Sequence, residues 1–228
     1  MLDTILENIA EPLYALTILV ALWRYPKYFN TGLKYFPIMV IYTFLTELLA
    51  GVVSNYPHLF SLSFHELHEH YNIFIYNIYD IIYFLYFIHL FWAFCQKELT
   101  KKWILGLGIA YLVSVIINML FQNILNDPQL YSYTFGSIAL VIAIIFFMTE
   151  IKWNPSKDVP YKNIIFWLGL GLIIFHIGYT LIRSYIHLNG PTNPEYYIWL
   201  RRLHLSLIVV MYSCFIVGFI KMKKNLHR

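Results

Sequence analysis

The sequence predicts an all-α polytopic membrane protein, one domain over residues 1–228 with seven transmembrane helices, the N-terminus outside and the C-terminus inside. Three observations carry that expectation. Of 228 residues 60% are hydrophobic and only 12% are charged, whereas a soluble domain holds about 45–50% and about 25%. The apolar residues fall in runs long enough to cross a bilayer. Lys and Arg gather in alternate connections, as the positive-inside rule requires.

The runs cover about 9–25, 35–54, 72–95, 102–122, 130–150, 162–184 and 196–220. Each holds about the 20 residues a helix needs to span the hydrocarbon core. Helices satisfy their own backbone, which lipid does not, and barrel strands would be shorter and alternating. The first run follows an acidic "MLDTILENIAEPLY" with no basic n-region or cleavage site, so it is expected to be retained. The second opens at Pro37, tolerated in a first helical turn. The third is rich in tyrosine. The sixth carries Gly171 and Gly178 on one face, the mark of close helix packing. No internal repeat is visible, and the connections are too short for a soluble catalytic domain.

Orientation follows from charge. Arg24, Lys27 and Lys34 lie after the first run; Lys97, Lys101 and Lys102 after the third; Lys152, Lys157 and Lys162 after the fifth; and Lys221, Lys223, Lys224 and Arg228 at the end, thirteen of the 16 Lys and Arg. These connections are assigned to the cytoplasmic side. "WRYPKY" and "KKW" put aromatics and cations together there, as an interfacial belt does. The net charge of +4 therefore reflects topology and implies no nucleic-acid partner. Cys95 and Cys214 fall near the same reducing side and are expected as free thiols.

Ionisable residues inside spans are costly and face a bundle interior, which makes them functional candidates. Glu11 and Glu47 lie in the outer parts of helices 1 and 2. Asp80, His176 and His204 each lie eight residues in from an expected outer end, a depth of about 12 Å. Arg201 and Arg202 lie slightly above them and Arg183 near the rim. Helical phase groups His176, Thr180, Arg183 and His187 on helix 6; Tyr197, Arg201, His204 and Tyr212 on helix 7; and Tyr76, Tyr79, Asp80 and Tyr83 on helix 3, beside Asn77. His89 faces away. Two readings fit: an outward-facing polar cavity for a small molecule, or an internal salt-bridge network that fixes packing.

Catalytic readings are weaker. Glu47, Asp80, His176 and His204 have the chemistry to bind zinc, as in seven-helix hydrolases of the adiponectin-receptor and ceramidase type. Those carry His-x-x-x-His on the last helix; here Ile208 and Leu200 flank His204 at that spacing. Haem between His176 and His204 has the right ligand type, and no cofactor is specified by the sequence. Retinal is disfavoured because helix 7 has no interior lysine before Lys221, and the midplane lacks the broken helices common in transporters.

"EPLYALTILVALWRYPKYF", "YNIYDIIYFLYF" and "RRLHLSLIVVMYSCFIVGFIKMKK" resemble, over essentially the whole chain, a group of seven-helix inner-membrane proteins of Bacteroidota-type bacteria. The resemblance implies a bacterial inner-membrane location and a signal-input role beside sensor histidine kinases. It brings no catalytic residue. The leading expectation is therefore a receptor-like sensor, with a membrane-embedded enzyme on lipid-like substrates or a small-solute carrier as alternatives.

"HELHEH", residues 65–70, lies between helices 2 and 3. Phe60, Phe64, Leu67 and Tyr71 are spaced for a short amphipathic helix on the outer surface. His65 with Glu69 and Glu66 with His70 are i, i+4 pairs that account for the composition without a metal. His65 and His68 remain weak candidates for a loose metal site or a pH-responsive lid.

Overall fold

The computed structural model describes residues 2–56, 68–150, 163–189 and 194–222. Seven α-helices run through them: α1 (Leu2–Arg24), α2 (Phe36–Asn55), α3 (His68–Phe94), α4 (Glu98–Phe121), α5 (Leu130–Glu150), α6 (Ile164–Asn189) and α7 (Pro194–Lys221), with two 3₁₀ turns at Tyr25–Lys27 and Gly32–Tyr35 between α1 and α2. There is no strand among the described residues. Six helical segments are long and apolar enough to cross a membrane: Gly32–Val53, Ile73–Phe94, Glu98–Phe121, Leu130–Glu150, Ile164–Asn189 and Tyr196–Lys221. The chain is a multi-pass helical membrane protein. Cys95 and Cys214 are not joined in a disulfide.

Several helices run past the expected runs. α4 starts at Glu98, whose carboxylate sits in the first turn and pairs with Lys101 at 3.3 Å. A carboxylate there complements the helix dipole and carries the helix beyond its apolar stretch. α6 continues to Asn189. The amphipathic helix expected around Phe60, Phe64 and Leu67 lies outside the described residues, and so does His65. His68 opens α3, and its side chain also lies outside them.

Packing is a ring. α1 packs on α2, α2 on α3, α3 on α5, α5 on α6, α6 on α7, and α7 returns to α1. α4 sits outside the ring against α3 and α5. Its outer face bears Leu105, Ile109, Val113, Ile116 and Leu120, all exposed, as lipid contact requires. α5, wedged between α3, α4 and α6, is the most buried span.

The ring is plugged at the end that carries Arg24 and Lys221. Phe36 meets Phe215 and Phe219 at 5.5 and 5.2 Å, and Tyr28 meets Phe219 at 5.5 Å. Aromatic pairs at such spacings add to the apolar area they bury. Arg24 donates to the carbonyl of Ile220 at 3.1 Å and Lys27 to that of Met222 at 3.4 Å, so cations of the α1–α2 connection occupy the C-terminal end of α7. Four cations at this end lie over aromatic rings: Arg24 on Trp23, Lys34 on Tyr35, Lys101 on Trp92 and Lys221 on Trp167.

The α6–α7 seam has the small residues that the sequence flagged. A Cβ on Gly171 would stand 3.0 Å from the Met211 carbonyl oxygen and 3.1 Å from the Cβ of Cys214; one on Gly178 would stand 2.6 Å from Leu207 Cδ1. Backbone cannot yield as a side-chain tip can, so Gly171 sets how closely the helices approach. Gly171→Val is expected to destabilise by about 1–3 kcal/mol, the usual range for overpacking. Gly51→Ala, where nothing lies within 4 Å of the added Cβ, is expected to be neutral or to stabilise by up to about 1 kcal/mol. Thermal unfolding of both variants in detergent measures the contrast.

Candidate functional site

A cavity of about 630 Å³ opens at the end of the ring opposite the plug. Every ring helix contributes to it and α4 does not. α1 supplies Ala10, Glu11 and Tyr14, and α2 supplies Thr43 and Glu47. α3 gives Ile73, Tyr76, Asn77, Tyr79, Asp80 and Tyr83; the α4–α5 connection gives Pro128 and α5 gives Tyr133. α6 gives Phe175, His176, Tyr179 and Arg183, and α7 gives Arg201, His204, Leu205, Ile208, Met211 and Tyr212.

The central contact is an ion pair. Arg183 Nη1 donates to Asp80 Oδ2 at 3.3 Å, with side-chain exposures of 19% and 17%. The guanidinium carbon also lies 4.3 Å from the Tyr133 ring centroid, a cation–π distance. One arginine thus ties α6 to α3 and α5. Asp80, His176 and His204 sit near the middle of their helices, about 15–20 Å in from the helix ends. They lie deeper within their helices than the apolar runs alone imply, because the helices project past those runs.

His176 is 1% exposed and held at both ring nitrogens. Ser137 Oγ lies 3.3 Å from Nδ1, and Tyr83 Oη lies 3.3 Å from Nε2. Tyr83 Oη lies also 3.9 Å from Met211 Sδ. With both nitrogens in hydrogen bonds, His176 is a structural member of the cavity floor. His204 stacks on Tyr179, with centroids 4.1 Å apart and planes at 19°. Among the described residues no three His, Cys, Asp or Glu side chains converge into a metal-ligand set.

The α1–α2 side is different in character. Glu47 accepts a hydrogen bond from Tyr76 Oη at 2.9 Å and is otherwise exposed. Thr43 Oγ1 lies 3.0 Å from Tyr79 Oη. Tyr14 meets Tyr212 edge-on at 4.7 Å, which joins α1 to α7 across the lining. Asn77 does not face a ligand with its polar end. Its Nδ2 donates to the carbonyls of Ile124 and Asp127 at 2.8 and 3.0 Å, and its Oδ1 accepts from Gln129 N at 3.2 Å. Asn118 donates to Gln122 and Gln129 in the same knot. These amides fix the α4–α5 connection so that Pro128 borders the cavity.

Of the residues singled out from sequence, Glu11, Glu47, Tyr76, Asp80, Tyr83, His176, Arg183, Arg201 and His204 all line this one cavity. Arg202 does not; a neighbour in sequence is turned about 100° around the helix, and Arg201 holds the inward position. Tyr197 and His187 are exposed outside the lining, and His89 stacks on Trp92 away from it. Tyr14, Thr43, Tyr133, Phe175 and Tyr179 were not legible as lining residues. No protein-family model, curated protein or solved structure matches the chain.

The ion pair makes a specific prediction for stability. Removing one partner strands the other in a poorly solvated site, at a cost of up to about 3 kcal/mol, the low end for a buried pair because both side chains keep some exposure. Asp80→Leu and Arg183→Met are each expected to lower the melting temperature in detergent. The double variant is expected to recover much of the loss, since two apolar groups leave no unpaired charge.

Proposed function

We propose that this chain is a seven-span, receptor-like sensor of a bacterial inner membrane, with its N-terminus outside and its C-terminus inside. The single observation behind this reading is a cavity enclosed by six helices and lined by carboxylates, arginines and seven tyrosines. Ligand sites are concave, largely apolar and set with a few placed polar groups, and this cavity has that make-up. The aromatic plug around Phe36, Phe215 and Phe219 supports binding over passage, because these rings and Tyr28 are buried against one another at the opposite end. The cation–aromatic belt at the plugged end supports its assignment to the cytoplasmic side.

Output runs through α7 in this reading. That helix carries Arg201, His204 and Tyr212 in the cavity wall and ends at Lys221, beside the carbonyls gripped by Arg24 and Lys27. A small-molecule ligand acts only if it favours one of two arrangements of the bundle, and α7 joins the two ends. The partner we propose is a sensor histidine kinase that has little sensing apparatus of its own.

Two measurements bear on this. In a background lacking Cys95 and Cys214, Glu11→Cys is expected to react with a membrane-impermeant maleimide on intact cells, and Lys102→Cys only after permeabilisation. The reverse pattern overturns the orientation and with it an outward-facing site. Affinity purification of the full chain from its native membrane is expected to recover a histidine kinase; recovery of lipid and the chain alone removes the relay.

A further inference from the structure

We infer that the cavity takes a small organic amine, bound as its ammonium cation between the α1–α2 carboxylates and the neighbouring tyrosine faces. This rests on the receptor reading above and names the class of its ligand. Charge within the cavity is unevenly satisfied. Arg183 is engaged on two sides, by Asp80 and by the Tyr133 ring. Glu11 and Glu47 line the opposite wall, and neither makes an ion pair among the described residues. Glu47 accepts one hydrogen bond, from Tyr76, whereas a carboxylate offers about four acceptor positions.

The tyrosines around those carboxylates complete a cation site. Tyr14, Tyr76, Tyr79 and Tyr212 come from α1, α3 and α7 and border the same space. A ring face attracts an ammonium ion, more strongly where water is scarce. Tyr79 Oη is matched with Thr43 Oγ1 and Tyr76 Oη with Glu47. With those hydroxyls occupied, the rings are left to offer faces and edges. Among the described residues the lining sets three carboxylates, Glu11, Glu47 and Asp80, against two arginines, Arg183 and Arg201, so an anion adds to an existing excess of negative charge. A neutral ligand leaves that excess of one carboxylate without a countercharge.

Three isosteric probes separate charge from shape: benzylamine, benzyl alcohol and benzoate. Each is titrated against the purified full chain in detergent at neutral pH, followed by tryptophan fluorescence and by melting temperature. Saturable binding of benzylamine, at least about tenfold tighter than the other two, is expected. Glu47→Gln is expected to weaken it by about tenfold, and Glu11→Gln by less. Glu11 is exposed and makes no described contact that folding requires, so Glu11→Gln keeps the test usable if Glu47→Gln fails to fold. Benzoate or benzyl alcohol binding as well as the amine overturns the ligand class, as does an amine affinity unchanged in both variants or no binding by any probe. None of these outcomes alters the maleimide pattern, so the loss of the ligand class and the loss of the outward-facing receptor are distinguishable.

Discussion

The ion pair between Asp80 and Arg183 is the constraint around which the rest of the bundle is arranged. A lone carboxylate or guanidinium inside an apolar bundle is costly, so each must find its opposite. The acids of the cavity half lie on α1, α2 and α3, and the arginines lie on α6 and α7. Neutralisation therefore requires the first three helices to face the last two across a common interior. The ring order does this: α5 separates α3 from α6, and the Arg183 side chain bridges the gap to Asp80 while its flat side covers Tyr133. Lysine has no planar fork with which to do both.

Enclosing a cavity and sealing it at one end are opposite demands, and the two halves of the bundle meet them with different residues. The cavity half uses tyrosines, whose rings pack while their hydroxyls pair with Thr43, Glu47 and His176. The plugged half uses Phe36, Phe215 and Phe219, which need no polar partner, with Tyr28, whose hydroxyl donates to the Ala21 carbonyl. His176 marks the boundary. Phe84 and Phe175 stand 5.2 Å from it by ring centroid, and Ser137 and Tyr83 take its nitrogens. Gly136, one residue from Ser137, lets α5 come this near: a Cβ there would fall 2.7 Å from Tyr111 and 2.8 Å from Phe84.

Much of this was legible in the sequence, for a physical reason. Charges within apolar runs are expensive, so Glu47, Asp80, Arg183 and Arg201 announce an interior. Helices longer than about 18 apolar residues announce spans. The ring order was not legible, because lipid is as apolar as a protein core and a span buried on one side has little periodic contrast to show. α4, the helix outside the ring, reads like the others in hydropathy. Tyr14, Tyr133 and Tyr179 were equally silent. The chain holds 20 tyrosines, and interfacial belts use tyrosine too, so the residue type alone does not separate cavity from surface. Arg202 fails in the opposite sense: the charge was visible and the helical phase decided between it and Arg201.

The unequal treatment of α7 along its length bears on how a bound ligand is felt elsewhere. In the cavity half α7 makes ring and sulfur contacts, with His204 stacked on Tyr179, Tyr212 edge-on to Tyr14 and Met211 near Tyr83, beside the close approach of Leu207 to Gly178. In the plugged half α7 is held by the close packing of Gly218 on Trp167 and Ile164, by Phe36 against Phe215 and Phe219, and by cations on its last carbonyls. Close-packed interiors of that kind transmit displacement instead of absorbing it. In the relay we propose, a change in tilt imposed at His204 and Tyr212 passes along α7 toward Lys221 and reaches α1 through the contacts of Arg24 and Lys27.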